Sequence, residues 1–595
     1  MSRTVVHDGD RLADFTRDKR ILVLSGMAVV IGVMSACVAW CLVWLIGAIT
    51  NFAYFQRFSS TFASPADHHL GYWSIAVPII GGLIIGFAAK YGSDKIRGHG
   101  IPEALEAILI GRSRMDVKVA ILKPITSAIS IGTGGPFGAE GPIIMTGGAF
   151  GSLFAQLFHL SPAERKTLLV AGAAGGMAAI FSAPVAAVLL AVELLLFEWK
   201  PRSFIPVAIS SAVSAALRIP LLGMGPIFPV TLHAPMGGRE MATSFAIGLI
   251  AGLASAIVTL LVYGFEDAFG KLPVHWMWWP AIGGVFVGIG GLINPHALGV
   301  GYDSIGALLN GKILGAALIS LLIVKALMWS MALGSGTSGG VVAPLLMMGA
   351  ALGAVEAHWI PYGDYGLWAT VSMAAMMGGT MGCPLTAIVF TLELTHDLNV
   401  VPGLLLGCIA AHGVTVMLMR RSILTEKVAR RGYHITREYS VDPLALLRVG
   451  EVMDPRAPLI PASMKLTELS DRIARNDPEI SRRQGTLLVD DNGQLVGIVT
   501  RGDVLRALDN KTDGNGHKTV LDAGSRNLIV AYPDELLEEA VSKMLSHDVG
   551  RLPVVSRDDP KRPIGYLGRA AVMAARLRRL EEEQAREPGW IARFT

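Results

Sequence analysis

Two stretches of the chain about 202 residues apart are written in the same register. Ile131–Gly151 reads IGTGGPFGAEGPIIMTGGAFG and Leu333–Gly353 reads LGSGTSGGVVAPLLMMGAALG. Gly132, Gly134, Gly138, Pro142, Gly147, Ala149 and Gly151 recur as Gly334, Gly336, Gly340, Pro344, Gly349, Ala351 and Gly353. A second segment keeps nearly the same offset: Ala187, Glu193 and Leu194 after Pro184 match Ala387, Glu393 and Leu394 after Pro384. Matches held in register over separate segments mark an internal duplication. The glycine-rich stretches 132–148 and 334–349 are poor candidates for continuous helix. They lie among runs long enough to cross a bilayer, which takes roughly 20 apolar residues. Ile21–Thr50, Trp73–Ala89, Ser244–Gly264 and Trp276–Asn294 carry no charged residue. Irregular backbone survives in a membrane only where protein or a water-filled cavity surrounds it. Paired broken segments in two halves therefore point to a transport site near the midplane.

Charge sets the limits of that membrane part. Charged residues make up 16% of the 595-residue chain, against about 25% in soluble proteins, and the shortfall falls before Met419. This excludes a single soluble domain, a disordered chain and a basic nucleic-acid binder; the net charge of +4 names no partner. Residues 1–20 read as a polar tail and 21–432 as the membrane domain. Arg420, Arg421, Lys427, Arg430 and Arg431 close it, and Arg17, Lys19 and Arg20 precede it. The positive-inside rule puts both ends in the cytoplasm, with an even number of crossings. The first apolar run is too long for a signal peptide and many more follow it. Cys37, Cys41, Cys383 and Cys408 sit in apolar runs without metal-binding spacing, and read as small core residues.

Three loops carry the chemistry. Gly98–Glu103 (GHGIPE), Gly138-Ala139-Glu140-Gly141-Pro142 and Gly340-Val341-Val342-Ala343-Pro344 each run from glycine to proline ahead of an apolar stretch. Proline is favoured at a helix start because its missing N–H costs nothing there. Three such starts can aim N–H groups and positive dipole ends at one space, which holds an anion without a buried cation. No Lys or Arg occurs in the three loops; a full lysine charge would hold an anion too tightly to release it. Glu140 is the informative acid. An intramembrane carboxylate is a functional residue by default, and the N–H groups that would hold an anion would also hold Glu140. Ionised, it can block the path; protonated, it can leave.

GHGIPE, GAEGP and GVVAP resemble the signature loops of the CLC family of chloride channels and proton/chloride exchangers, in order and spacing, over about 21–432. The resemblance implies an all-α membrane domain of inverted repeats, a homodimer with one pore per subunit, Glu140 as external gate, and an anion site built from His99, Gly100, Ile101, Gly138, Ala139, Gly141, Val341 and Val342, with the N–H groups of Val341 and Val342 on the central anion. The sequence departs from the pattern in four places. His99 stands where the family has Ser or Pro; it either lines the pore or turns away and leaves the backbone to bind. Ala139 replaces a Lys or Arg beside the gate. Val342 replaces a Phe. The family's pore tyrosine falls at about Leu424, which removes a hydroxyl donor from the inner constriction. Proton-coupled relatives often carry two adjacent glutamates at the positions of Glu193 and Leu194, so the internal proton-handing acid is missing. Glu198, one turn beyond, either substitutes for it or pairs with Lys200 or Arg202 at the interface; Glu193, matched by Glu393, reads as structural.

From Val449 two small α+β units follow, 449–510 and 519–580, after a linker 433–448 and before a tail 581–595. Thr486–Val489 and Gln494–Thr500 read as strands around the turn Asp490-Asp491-Asn492-Gly493, with Arg551–Val555 and Ile564–Leu567 as their second copy. The pair, with GRLPVV at Gly550–Val555, resembles tandem CBS domains. That resemblance implies either an adenine nucleotide held by Thr500 (phosphate) and Asp503 (ribose), or a purely structural role.

The reading is a multi-pass protein, expected in a bacterial inner membrane, that passes small inorganic anions, chloride foremost, as a Glu140-gated channel. No metal or obligatory cofactor and no nucleic acid is called for. A proton-coupled exchanger is the alternative. A CBS-regulated divalent-cation carrier is remote, because the loops offer one central acid among N–H donors where a cation needs oxygen ligands. No nucleophile–base motif such as G-x-S-x-G marks an enzyme.

Overall fold

A computed structural model describes residues 20–432, 447–481, 484–509 and 518–584; the tail 1–19, residues 433–446 of the expected linker and the chain beyond 584 lie outside the described residues. The chain divides into two compact units, one built on the described residues up to 432 and one on those from 447 to 584.

The first unit is helical. Its first half contains α1 (Arg20–Phe55), α2 (Ala76–Tyr91), α3 (Ile101–Leu109), α4 (Val117–Gly132), α5 (Glu140–Gln156), α6 (Pro162–Phe181), α7 (Pro184–Leu190, continued by a π-helical turn Ala191–Leu196) and α8 (Pro201–Leu222). Its second half contains α9 (Gly238–Gly270), α10 (Trp279–Ile293), α11 (Tyr302–Leu309), α12 (Ala316–Gly334), α13 (Val342–Glu356), α14 (Tyr365–Met381), α15 (Pro384–Thr395) and α16 (Val401–Leu418), followed by α17 (Ile423–Arg430). Among the described residues, eight helices are long and apolar enough to cross a membrane.

The duplication read from glycines and prolines is a duplication of contacts. The two broken segments meet: Gly340 N donates to Gly138 O at 2.9 Å. The matched glutamates exchange places. Glu193 accepts from Thr386 N (2.9 Å) and Thr386 Oγ1 (2.5 Å) at the start of α15. Glu393 accepts from Val185 N (2.9 Å) and Ala186 N (2.8 Å) at the start of α7. Each acid thus satisfies orphan N–H groups of the other half's helix, the pattern a two-fold relation produces.

The glycine stretches are less broken than their composition predicts. Irregular backbone is confined to 133–139 and 335–341, apart from an isolated bridge residue, and helix resumes at Glu140 and Val342 through the remaining glycines. Close packing is the reason. A Cβ on Gly147 would fall inside contact distance of the Gly172 carbonyl, and one on Gly172 would do the same to Gly147. Small residues are what let helix backbones approach in a membrane, and here that approach outweighs glycine's low helix propensity.

The cysteine expectation needs correcting by half. Cys383 and Cys408 are buried, but Cys37 and Cys41 are exposed. They lie on the outward face of α1 with Val33, Trp40 and Trp44, so an apolar run in a membrane did not make them core.

The second unit holds two sheets. β1 (Leu459–Pro461) pairs parallel with β2 (Gly485–Val489), which pairs antiparallel with β3 (Leu495–Thr500). β4 (Arg551–Val555) pairs antiparallel with β5 (Pro563–Gly568). Gly493 has φ +75° in the turn before β3, a conformation that favours glycine. Each copy has its own core. In the first, Leu466, Leu469, Leu488, Val499 and Val504 pack together; in the second, Leu537, Ala540, Leu552, Val554 and Leu567 do. The short β1 was not read from the sequence; its counterpart in the second copy is a single parallel bridge, Ala531 to Val554.

Candidate functional site

The three glycine-to-proline loops converge through backbone bonds. Gly98 N donates to Gly336 O and Gly339 N to Gly98 O, both at 3.4 Å, while Gly340 N holds Gly138 O. The starts of α3, α5 and α13 are thereby fixed around one buried space. Gly100, at φ +88°, caps α3. Gly141 lies so close to the His99 carbonyl that no Cβ would fit.

Glu140 occupies this space. It is fully buried, and its Oε1 accepts from Ala343 N at 2.9 Å. Its carboxylate lies against both neighbouring glycines: a Cβ on Gly340 would come within 2.7 Å of Glu140 Oε1, and one on Gly138 would overlap the carboxylate outright. Two positions without side chains are therefore what make the seat. Glu140 Oε2 has no hydrogen-bond partner among the described residues. The carboxylate sits over the first turn of α13, where the dipole favours negative charge. The resemblance gave the Val341 and Val342 N–H groups to the central anion; Val341 is the N-cap and Val342 the first helical residue, so both lie directly before the Ala343 N–H that meets Glu140.

His99 is 2% exposed, with Nδ1 lacking a hydrogen-bond partner among the described residues. Its loop is braced by cations that the three motifs do not contain. Lys123 of α4 is fully buried and donates from Nζ to Ile96 O (2.8 Å) and Gly98 O (2.7 Å). Glu103 accepts from Gly100 N at 3.0 Å and meets Arg431 at 3.0 Å and Lys427 at 3.5 Å. Arg431 also bridges to Glu106, so the end of α17 is tied to α3. The expectation of a site free of nearby full positive charge therefore holds for the loop sequences but not for the fold.

Lys123 has a double. Lys325 of α12, also fully buried, donates from Nζ to Ala297 O and Gly299 O, each at 2.9 Å. It braces the loop before α11 as Lys123 braces the loop before α3. That loop joins the assembly too, for Gly299 N donates to Gly134 O at 3.0 Å.

The remaining expected residues fall as follows. Leu424 is fully buried in the first turn of α17, and the neighbouring Ile423 carbonyl accepts from the Tyr263 hydroxyl at 2.5 Å. Leu194 is buried and apolar. Glu198 meets Lys200 at 2.8 Å and accepts from Ser203 Oγ at 2.7 Å, the interfacial pairing rather than an inward-facing acid. Glu193, besides capping α15, lines a cavity of about 720 Å³ together with His412, Thr415, Ser422 and Thr425.

In the second unit Asp503 Oδ2 accepts from Thr500 N (2.8 Å) and Thr500 Oγ1 (2.7 Å), and its other oxygen meets Arg506. Burial alone would raise the Asp503 carboxyl, but the bonds from Thr500 and Arg506 hold it below the usual carboxylate range. The void beside Thr500 and Val504 measures about 10 Å³, room for about one water.

Comparison with known proteins shows the family of each unit. The family model described as voltage gated chloride channel matches residues 81–416, and the CBS domain model matches 449–510 and 520–578. The voltage-gated ClC-type chloride channel ClcB of Citrobacter koseri is 30% identical over 367 residues, covering 60% of this chain and 87% of that protein. Chloride channel protein CLC-f of Arabidopsis thaliana is 27% identical over 574 residues, covering 82% of this chain and 70% of that one. Among solved structures, a slow cyanobacterial Cl−/H+ antiporter superposes with TM-score 0.62 at 22% identity, over 70% of this chain and 99% of that chain. A eukaryotic CLC transporter superposes with TM-score 0.60 at 18% identity, over 93% and 98%.

Proposed function

The chain belongs to the voltage-gated chloride channel family, and from that premise we propose that it conducts chloride through the space Glu140 fills, with Glu140 as the gate. One observation carries the proposal: the carboxylate rests on Ala343 N at the start of α13, in a seat between two glycines that suits any small anion. An ionised carboxylate and a chloride compete for the same N–H and dipole, so the path opens when Glu140 leaves. His99, Gly100, Ile101, Ala139, Gly141, Val341 and Val342 form the surrounding wall in this reading, and Leu424 an apolar inner constriction. We read the protein as a homodimer with both termini cytoplasmic.

Passive conduction is favoured because a second acid is missing at the buried Leu194 and because Glu198 is already paired with Lys200. One observation favours coupled exchange with protons as the second reading: the cavity of about 720 Å³ walled by Glu193 and His412 could bring water toward the interior without Leu194. For the CBS pair we favour a structural role. An adenine nucleotide at Thr500 and Asp503 would have to break the bonds between them and open a void of about 10 Å³.

The test of conduction uses purified protein in vesicles loaded with potassium salts, with valinomycin to carry the counter-charge. Chloride should leave at least tenfold faster than sulfate, because the seat between Gly138 and Gly340 is closely packed and offers a backbone N–H rather than a full charge. Equal rates for the two anions would overturn a selective site.

A further inference from the structure

The gate needs somewhere to go. In the seated position one carboxylate oxygen is bonded to Ala343 N and the other, Glu140 Oε2, has no partner among the described residues. A carboxylate that left this seat for apolar surroundings would lose its bond and gain nothing, at a cost that would keep the gate shut. A buried donor nearby would change that balance.

One such donor stands out. The Tyr302 hydroxyl is buried and has no hydrogen-bond partner among the described residues. Buried tyrosine hydroxyls normally find one. Its ring is held edge-on by Phe181 and Phe228, with centroids 6.2 Å and 5.9 Å away, and Phe181 in turn packs on Phe390 at 5.0 Å. These rings exclude water from the hydroxyl and fix its direction. Tyr302 is the first residue of α11, and the loop before it touches both halves of the Glu140 seat. Gly299 N is bonded to Gly134 O in the loop that leads to Glu140. Gly301 lies against the Met347 methyl of α13, one turn beyond Ala343, or about 6 Å along the helix. Tyr302 is also within electrostatic reach of Glu140. Buried Lys325 braces this loop and is within the same reach of Glu140 and of Asp303.

We propose that the Tyr302 hydroxyl donates to the protonated Glu140 carboxyl group in the open position of the gate. The two orphaned groups are complementary, a donor and an acceptor, and each is left unsatisfied only while Glu140 sits on Ala343. Tyr302 then acts as a positioning residue that lowers the cost of opening without itself touching the anion. The repeat explains why it lies there: α11 is the second-half counterpart of α3, so Tyr302 occupies the place that Ile101 holds on the other side of the site.

This rests on Glu140 being the gate, and the test separates the two claims. Chloride efflux from vesicles is measured for the wild type, Tyr302→Phe, Glu140→Ala and the double variant. Tyr302→Phe keeps the ring and its packing and removes the donor. It should slow efflux about five- to tenfold, the worth of one hydrogen bond between uncharged groups. Glu140→Ala should raise efflux, and adding Tyr302→Phe to it should change nothing, which also certifies that the variant folds. If Tyr302→Phe leaves the wild type unaltered, the proposal is wrong. If it slows efflux by the same factor without Glu140, the hydroxyl serves the pore or the anion and the proposal is again wrong, although the gate stands. If Glu140→Ala does not raise efflux, the gate assignment itself falls, and this proposal with it.

Discussion

Glutamine at position 140 should raise chloride flux about tenfold or more and make it insensitive to pH. The seated carboxylate accepts from Ala343 N at the start of α13, a charge-assisted bond of about 1.5–3 kcal/mol, reinforced by the helix dipole. Protonation removes the charge and most of that attraction, so wild-type flux should climb as pH falls. Glu140→Gln fixes the neutral condition at every pH. It keeps the volume between Gly138 and Gly340, so a change reports charge rather than an opened cavity. Efflux from vesicles at several pH values measures both effects. A variant with wild-type flux and wild-type pH response would remove Glu140 from the path.

Methionine in place of Lys123 should be the most damaging single change outside the pore. Nζ is the shared donor to the Ile96 and Gly98 carbonyls, and those carbonyls position His99 and the start of α3. Met fills the volume but leaves two buried acceptors without a donor, each costing about 1–3 kcal/mol. It also removes a cation that faces Glu103 in the company of Lys427 and Arg431. Thermal stability in detergent should fall, and flux should drop at least tenfold because the loop that lines the anion space loosens. Lys325→Met is the matched comparison: the same two-carbonyl geometry predicts a similar loss of stability. If both variants were as stable as the wild type, the buried lysines would not be braces.

The parts of this fold that announced themselves in sequence are those where backbone geometry demands a residue type. Glycine before proline marked the starts of α3, α5 and α13, and the acid among them was Glu140. The hairpin at Gly493 and the strands β2 to β5 were legible because alternation and turn chemistry are local. What stayed hidden depends on who lies opposite. Gly147 and Gly172 look like helix breakers until each is seen to admit the other's backbone. Glu193 and Glu393 were matched as a pair, yet nothing local says that each caps the other's helix. That the Glu140 carboxylate would itself rest on the Ala343 N–H was not legible, since the first turn of α13 decides which amides point inward. Lys123 and Lys325 had a usable signal: each is a lone cation in an apolar stretch, and they share the glycine offset of about 202 residues.

The central claim is that anions move alone past Glu140, since the position of a second proton-handling acid is filled by the buried Leu194 and Glu198 is paired elsewhere. The direct measurement is the reversal potential of the purified protein in a planar bilayer, with equal chloride on both sides and a tenfold proton gradient. Uncoupled conduction predicts a reversal at zero. A clear displacement toward the proton equilibrium potential would contradict it, and would make the protein an exchanger whose protons reach Glu140 by a route other than Leu194.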